Sequence, residues 1–510
     1  MAAVEHIPAA GAAPGEKGLK GNALGLMSSI VIGVASTAPG YSLAASLGLV
    51  VAAVGLASPA IMWIAFIPML LVATAYYYLN RVDPDCGTTF SWATKAFGPI
   101  TGWIGGWAII VADVIVMANL ADIAGRYSYL LVGADGAANS KYWVMLIGVI
   151  WIVLMTWICY VGIEVSAKMQ WFLLGAELIT LVVFAVVALY KVYFNPPAGS
   201  VRPSLSWLSP GSIPAFTLNP LHLFSLNPHS TSALASGVLV AVFIYWGWDS
   251  LVAVNEETED KERTPGIAAV TSTVILVLIY VVVTFAAQAF AGTKFLVDNS
   301  DDVLSSLGKA VLGSPFDKLL IIAVLTSASA STQTTILPTT RTSLSMAAHG
   351  AIPKRFARIH PRYLTPSTST IWMGVLSIVW YAGLTAVSQN ILFDSIAALG
   401  LMIAFYYGMT GFACVWFFRK NLKTAKGVLL AGVAPAVGGI MLLWVFVRSC
   451  IDLAQPANSA SGTSWLGVGP PLAITVLFML LGVVIMALQW RVEPMFFRRK
   501  AELAPKEMML

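Results

Sequence analysis

Apolar residues run along this chain of 510 residues in about twelve blocks, at approximately 23–50, 56–79, 99–130, 143–163, 170–192, 233–255, 267–291, 317–346, 369–387, 393–418, 427–449 and 468–490. At 1.5 Å per residue each block spans roughly 30 Å of hydrocarbon as an α-helix. The pattern predicts an all-α integral membrane protein. Two blocks are interrupted by small and polar residues. Ser28 to Val51 breaks at Gly33-Val34-Ala35-Ser36-Thr37-Ala38-Pro39-Gly40, and Ala233 to Val254 breaks at Phe243-Ile244-Tyr245-Trp246-Gly247-Trp248-Asp249-Ser250. Freed peptide groups find no water in hydrocarbon, so such breaks persist only where they line a cavity or are buried in protein. Matched breaks in two halves of a chain point to a transporter's binding site.

Composition narrows the class further. Hydrophobic residues make up 58% and charged residues only 10%, against about a quarter charged in ordinary soluble domains. Placing the N-terminus inside puts 21 of the 29 basic residues in inner segments, the bias that sets topology. The even number of blocks then returns the C-terminus to the same side. The net charge of +5 follows from this bias, so nucleic-acid binding is not needed to explain it. The four cysteines lack metal-ligand spacing. The five histidines (His6, His222, His229, His349 and His360) fall in tails or loops, which sets aside an imidazole relay inside the membrane.

Five blocks per half make a repeat whose second copy enters from the opposite face, by parity alone. The expected organisation is a cytoplasmic tail at 1–22, a first repeat at 23–192, an external loop at 193–232, a second repeat at 233–418, two further helices at 419–491 and a cytoplasmic tail at 492–510. The 193–232 loop is rich in Pro and Asn and reads as irregular. The first twenty or so residues lack an apolar core and do not read as a cleavable leader.

Candidate chemistry starts at the breaks. Around Ser36, Thr37 and Ala38, unwound backbone offers N–H donors while the next half-helix presents its positive end, which suits a substrate carboxylate. A simple proline kink at Pro39 is the plainer reading, and the matched second break argues against it. Carbonyls freed near Phe243, Ile244, Tyr245 and Trp246 suit a substrate ammonium, and Phe243 is the expected lid. Three acids fall at membrane depth: Asp113, Glu177 and Asp249. A carboxylate there costs on the order of 3 kcal/mol, so it usually serves a function; these groups are expected to take up and release protons. Asp122 and Arg126, four residues apart near a helix end, read as a structural pair. The hydroxyl-rich run from Thr326 to Thr335 reads mainly as helix-packing glue, with Ser329 the candidate for a cation or proton site. Tyr76, Tyr77, Tyr78, Trp92, Tyr142, Trp143 and Trp490 read as interface anchors.

With Phe243-Ile244-Tyr245-Trp246-Gly247-Trp248-Asp249 followed by Asn255-Glu256-Glu257-Thr258 and Arg263-Thr264-Pro265, the chain resembles the amino acid–polyamine–organocation permeases of LeuT-type fold. The segments Gly162 to Gln170, Arg341 to Pro353 and Thr365-Pro366 are similar to that family's inner loops. The resemblance implies a 5+5 inverted repeat with discontinuous first and sixth helices, plus two C-terminal helices. It places Thr37 and Ala38 at the substrate carboxylate, and the carbonyls of Ala35, Phe243, Ile244 and Trp246 at the amino group. Two departures stand out. Thr37-Ala38-Pro39 replaces a glycine-rich break, removing one donor, and Glu177 stands where some members carry a lysine. Asp249, where some relatives have Asn, is open to a second positive group, and Trp246 is expected to narrow the pocket.

The expected function is therefore proton-coupled symport of an amino acid or related amine by alternating access, at the plasma membrane. The coupling groups are expected to be Glu177, Asp113 and Ser329. Polyamine or cationic amino acid exchange without a proton is the alternative, and a potassium-type carrier or channel stands behind it. No nucleophile–base pair, cofactor motif, metal cluster or phosphate loop points to an enzyme. The implied partners are a small-molecule substrate, a proton and the lipid bilayer.

Overall fold

The computed structural model describes residues 17–214, 232–300, 302–387 and 390–501. His6, His222 and His229, most of the N-terminal tail, the second half of the 193–232 loop and the last nine residues lie outside them.

Among the described residues the structure is helical, with twelve passes. Pass one is two half-helices, α1 (Leu26–Thr37) and α2 (Pro39–Val54), and pass two is α3 (Ser58–Val82). A short amphipathic helix, α4 (Thr89–Phe97), precedes α5 (Pro99–Leu131), α6 (Lys141–Val161) and α7 (Ile163–Phe194). Pass six is again divided, into α8 (Ser232–Ile244) and the single turn α9 (Ser250–Ala253). Then come α10 (Thr264–Asp298), the short α11 (Val303–Val311), α12 (Lys318–Ala348), α13 (Ser367–Val387), α14 (Asn390–Phe418), α15 (Ala434–Leu453) and α16 (Pro470–Val492). Ten helical stretches have the length and hydropathy to cross a membrane; the first, Leu26–Val82, holds two passes, and Ala233–Ile244 is a shorter apolar helix.

The two divided passes run antiparallel. Leu24, just before α1, bridges Thr258, just after α9, while a Cβ on Gly237 of α8 would lie 3.0 Å from Val54 at the end of α2. Opposite directions for passes one and six are what an inverted repeat requires. The half-helix α1 packs on α7, α10 and α12, so both breaks are wrapped in protein rather than lipid. The outer faces of α6, α7, α10 and α16 carry the exposed Leu, Val, Ile and Trp side chains expected of a lipid-facing belt.

Several sequence expectations change here. The stretch from Gly162 to Gln170 is not a loop: α6 ends at Val161 and α7 starts at Ile163, because Gly162 (φ 148°) turns the chain in one residue. Arg341 is likewise inside a helix, since α12 continues to Ala348. Tyr76 and Trp92 are not interface anchors. Both are buried, and the Tyr76 ring meets Trp92, Trp248 and Tyr407 edge-on. Tyr142, Trp143 and Trp490 are exposed near helix ends, as interface residues are.

Candidate functional site

At the first break, Ala38 adopts a left-handed conformation (φ 48°, ψ 68°) between α1 and α2, an unusual state for a residue with a Cβ. Gly247 (φ 114°) marks the second. The breaks touch: a Cβ on Gly247 would lie 2.7 Å from the Ser36 carbonyl oxygen. Ser36 and Ser250 share a hydroxyl hydrogen bond of 2.7 Å across them.

The first-turn donors of α2 can be accounted for one by one. Pro39 has none. The Gly40 N–H donates to Glu177 Oε1 at 2.7 Å, and the Tyr41 N–H donates to Ser327 Oγ at 3.0 Å. Ser327 Oγ in turn donates to Glu177 Oε1 at 2.9 Å. The positive end of the half-helix, expected to meet a substrate carboxylate, thus holds the protein's own carboxyl group. Glu177 is fully buried, and its Oε2 has no hydrogen-bond partner.

Freed carbonyls are partly occupied as well. Ser331 Oγ donates to the Ser36 carbonyl at 2.9 Å, and Tyr280 OH donates to the Ile244 carbonyl at 2.8 Å and to the Thr37 carbonyl at 3.4 Å. The Ala35 and Phe243 carbonyls accept the Ala38 and Trp246 N–H groups. Each keeps a second lone pair. Tyr245 is buried with its hydroxyl unpartnered.

The remaining expected residues separate into distinct places. Asp249 faces aromatic hydroxyls: Tyr407 OH donates to Oδ1 at 2.8 Å and Tyr406 OH to Oδ2 at 3.0 Å, while Trp246 Nε1 donates to Tyr406 OH. Each carboxylate oxygen accepts one of these bonds and keeps a further lone pair. Asp113 accepts from Thr339 Oγ1 of α12 and is not joined to Glu177. Ser329 donates to Leu325 of its own helix at 2.7 Å; the hydroxyls of this run that reach pass one are Ser327 and Ser331. Helical spacing puts those two on one face, and Ser329 is turned away from it.

Sequence reasoning missed the seal on the side of the chain termini. Lys17 Nζ pairs with Asp85 Oδ2 at 2.9 Å and Glu256 Oε1 at 2.5 Å, all three buried. Asp85 Oδ1 also accepts from Ser91 and Ser345 at 2.6 Å. Asp85, Cys86 and Glu256 lie close enough to hold a metal ion, but the Lys17 ammonium already supplies the positive charge between the two carboxylates. Arg341 makes two bonds of 2.9 Å to Glu257, with both side chains fully buried. The Ala23 and Leu24 N–H groups donate to the Glu257 carbonyl. Glu256, Glu257 and Arg341 fall in the segments that carry the family resemblance, but nothing in the sequence marks Lys17 and Asp85 as partners of Glu256 or pairs Arg341 with Glu257.

On the opposite side lies a cavity of about 360 Å³ lined by Tyr41, Asp122 and Arg126. Tyr41 stands between it and the breaks, its ring meeting Phe243 edge-on at 6.2 Å. A second cavity, of about 240 Å³, lies on the terminal side beside that seal and is lined by Asp85, Ser91, His349 and Arg499.

A multi-pass helical protein whose two broken passes cross inside the protein is built as a membrane carrier. A family model described as "Amino acid permease" matches residues 22–488, and the chain belongs to that family of permeases. It is 21% identical to the low-affinity putrescine importer PlaP of Escherichia coli K12, over 79% of this chain and 82% of that one. It is 22% identical to the branched-chain amino acid permease BcaP of Lactococcus lactis, over 74% and 78% of the two chains. It is also 22% identical to the arginine/ornithine antiporter ArcD2 of Lactococcus lactis, over 82% and 86%.

Proposed function

We propose that this protein is a secondary active transporter that carries an amino acid or related amine across the plasma membrane by proton-coupled symport. In this reading both termini are cytoplasmic, and the structure is the outward-facing state. The observation that carries the reading is Glu177 on the Gly40 N–H.

The coupling logic follows from that bond. An ionised Glu177 holds the positive end of α2 with its full charge; a protonated one holds it only by a weaker neutral bond that a substrate carboxylate can displace. A proton on Glu177 and a substrate carboxylate at Gly40 therefore favour each other, and binding linkage of this kind is reciprocal. The unpartnered Oε2 is supporting, because a buried lone carboxylate oxygen is costly and a proton relieves it. Reaching the inward-facing state then requires Lys17 to leave Asp85 and Glu256, and Leu24 to leave Thr258. The mixed relatives, an importer and an antiporter among them, keep exchange as the second reading.

Uptake by proteoliposomes of radiolabelled leucine, arginine and putrescine, with and without an inward proton gradient, tests the proposal. Gradient-driven accumulation of an amino acid is the expected result. Equal exchange with and without the gradient would refute proton coupling.

A further inference from the structure

Asp122 and Arg126 stand one helical turn apart on α5, yet among the described residues no ion pair joins them. Each is an electrostatic neighbour of the other, each is partly exposed, and both line the 360 Å³ cavity. Tyr381 OH donates to Asp122 Oδ1 at 3.1 Å, and among the described residues no hydrogen bond reaches Oδ2. Tyr41 lines the same cavity with its side chain 2% exposed and its hydroxyl unpartnered. Two groups of opposite charge, a carboxylate and a guanidinium, thus line one hollow beside the Tyr41 side chain.

We propose that this vestibule is a second, outer binding site for a free α-amino acid, with the substrate ammonium at Asp122 and its carboxylate at Arg126. The inference rests on the carrier reading above and sharpens it. A neighbouring carboxylate and guanidinium fit a zwitterion, whose opposite charges are only a few ångströms apart. For a polyamine the same guanidinium is repulsive and leaves Asp122 as the sole attraction. Arginine is also the side chain whose fork matches a carboxylate. Tyr41 forms the floor of the vestibule and touches Phe243, so an occupied vestibule sits one aromatic layer above the breaks.

Kinetics of the full-length protein in proteoliposomes test the site. With leucine as probe, Arg126→Gln and Asp122→Asn should each raise KM about tenfold while kcat stays within about twofold, a loss of binding shared by ground and transition states. Arg126→Lys should recover part of the loss. Leucinol, which lacks the carboxylate, should be insensitive to Arg126→Gln. Unchanged leucine KM in both variants overturns the outer site and leaves the carrier reading intact; transport of putrescine alone also overturns it. A second measurement covers poor folding or absence of flux. Ala460 lines the vestibule and is exposed. In an A460C/C450A chain, leucine should shield Cys at 460 from a charged maleimide. Shielding without flux keeps the site and removes the carrier; no shielding removes the site.

Discussion

Glu177 Oε1 and the Gly40 N–H meet at 2.7 Å, joining the fifth pass to the half-helix that starts beyond the first break. The break leaves first-turn N–H groups of α2 without helical partners, and one of them is held by an acid of the protein itself. A site built this way is sensitive to the charge on one side chain.

That sensitivity gives the first prediction. For one proton per substrate, a gradient of one pH unit stores 1.36 kcal/mol and sustains about tenfold accumulation. Glu177→Gln keeps the shape and can still accept from Gly40, but it cannot exchange a proton. Accumulation is expected to fall to the equilibrium value while substrate counterflow persists. Wild-type accumulation by the variant would separate Glu177 from coupling.

Gly247 presses against Ser36, and its φ of 114° disfavours any side chain. Gly247→Ala adds a Cβ 2.7 Å from the Ser36 carbonyl oxygen. Backbone strain of about 1–3 kcal/mol, with the clash added, should lower the thermal midpoint and stop transport. Gly136→Ala meets nothing within 4 Å and should leave both unchanged in the same assays.

Arg341 and Glu257 are fully buried and doubly bonded. Removing one partner strands a buried charge at a cost of about 3–5 kcal/mol, whereas replacing both with apolar residues is often neutral. Thermal denaturation should therefore rank Arg341→Met well below the Arg341→Met, Glu257→Leu double variant. Equal midpoints would mean the pair is not electrostatically coupled to stability.

The Lys17 cluster should be insensitive to pH across the working range. Burial pushes the Asp85 carboxyl up, but Lys17, His349 and the Ser345 and Ser91 hydroxyls outweigh it and hold it well below the usual carboxylate range. Burial also opposes the Lys17 ammonium, and the charges of Asp85, Cys86 and Glu256 override it to raise its pKa. The Asp85 contribution is present above its unfolded pKa and lost only as pH falls through the depressed folded value. The Lys17 contribution is present below its unfolded pKa and lost as pH rises through the raised one. The difference in melting temperature between wild type and Lys17→Met should thus stay constant from about pH 5 to about pH 9. Lys17→Met should also expose Cys86, now fully buried, to thiol reagents.

Much of the fold is readable from hydrophobic patterning, because in hydrocarbon a backbone segment must satisfy itself within one helix. The expected block at 99–130 and the helix Pro99–Leu131 differ by one residue. Short helices evade this rule: α4 and α11 lie at the ends of passes and have only nine residues each. Glu177 and both breaks were visible as local departures from apolar composition. Lys17 with Asp85, and Tyr41 with Phe243, were not, since each pair is separated by many tens of residues and nothing local marks the partnership.

The amino-acid order alone determined that the chain crosses a bilayer repeatedly, where two helices come apart and which acids are buried, for these follow from what hydrocarbon tolerates in each segment. Tertiary structure decided the use of each group. It set Glu177 on the half-helix, turned Ser327 and Ser331 rather than Ser329 toward pass one, enclosed Asp249 among tyrosines and left Asp122 and Arg126 as neighbours on one cavity with no ion pair between them. Such assignments depend on which helix faces which, and packing between distant segments alone settles that.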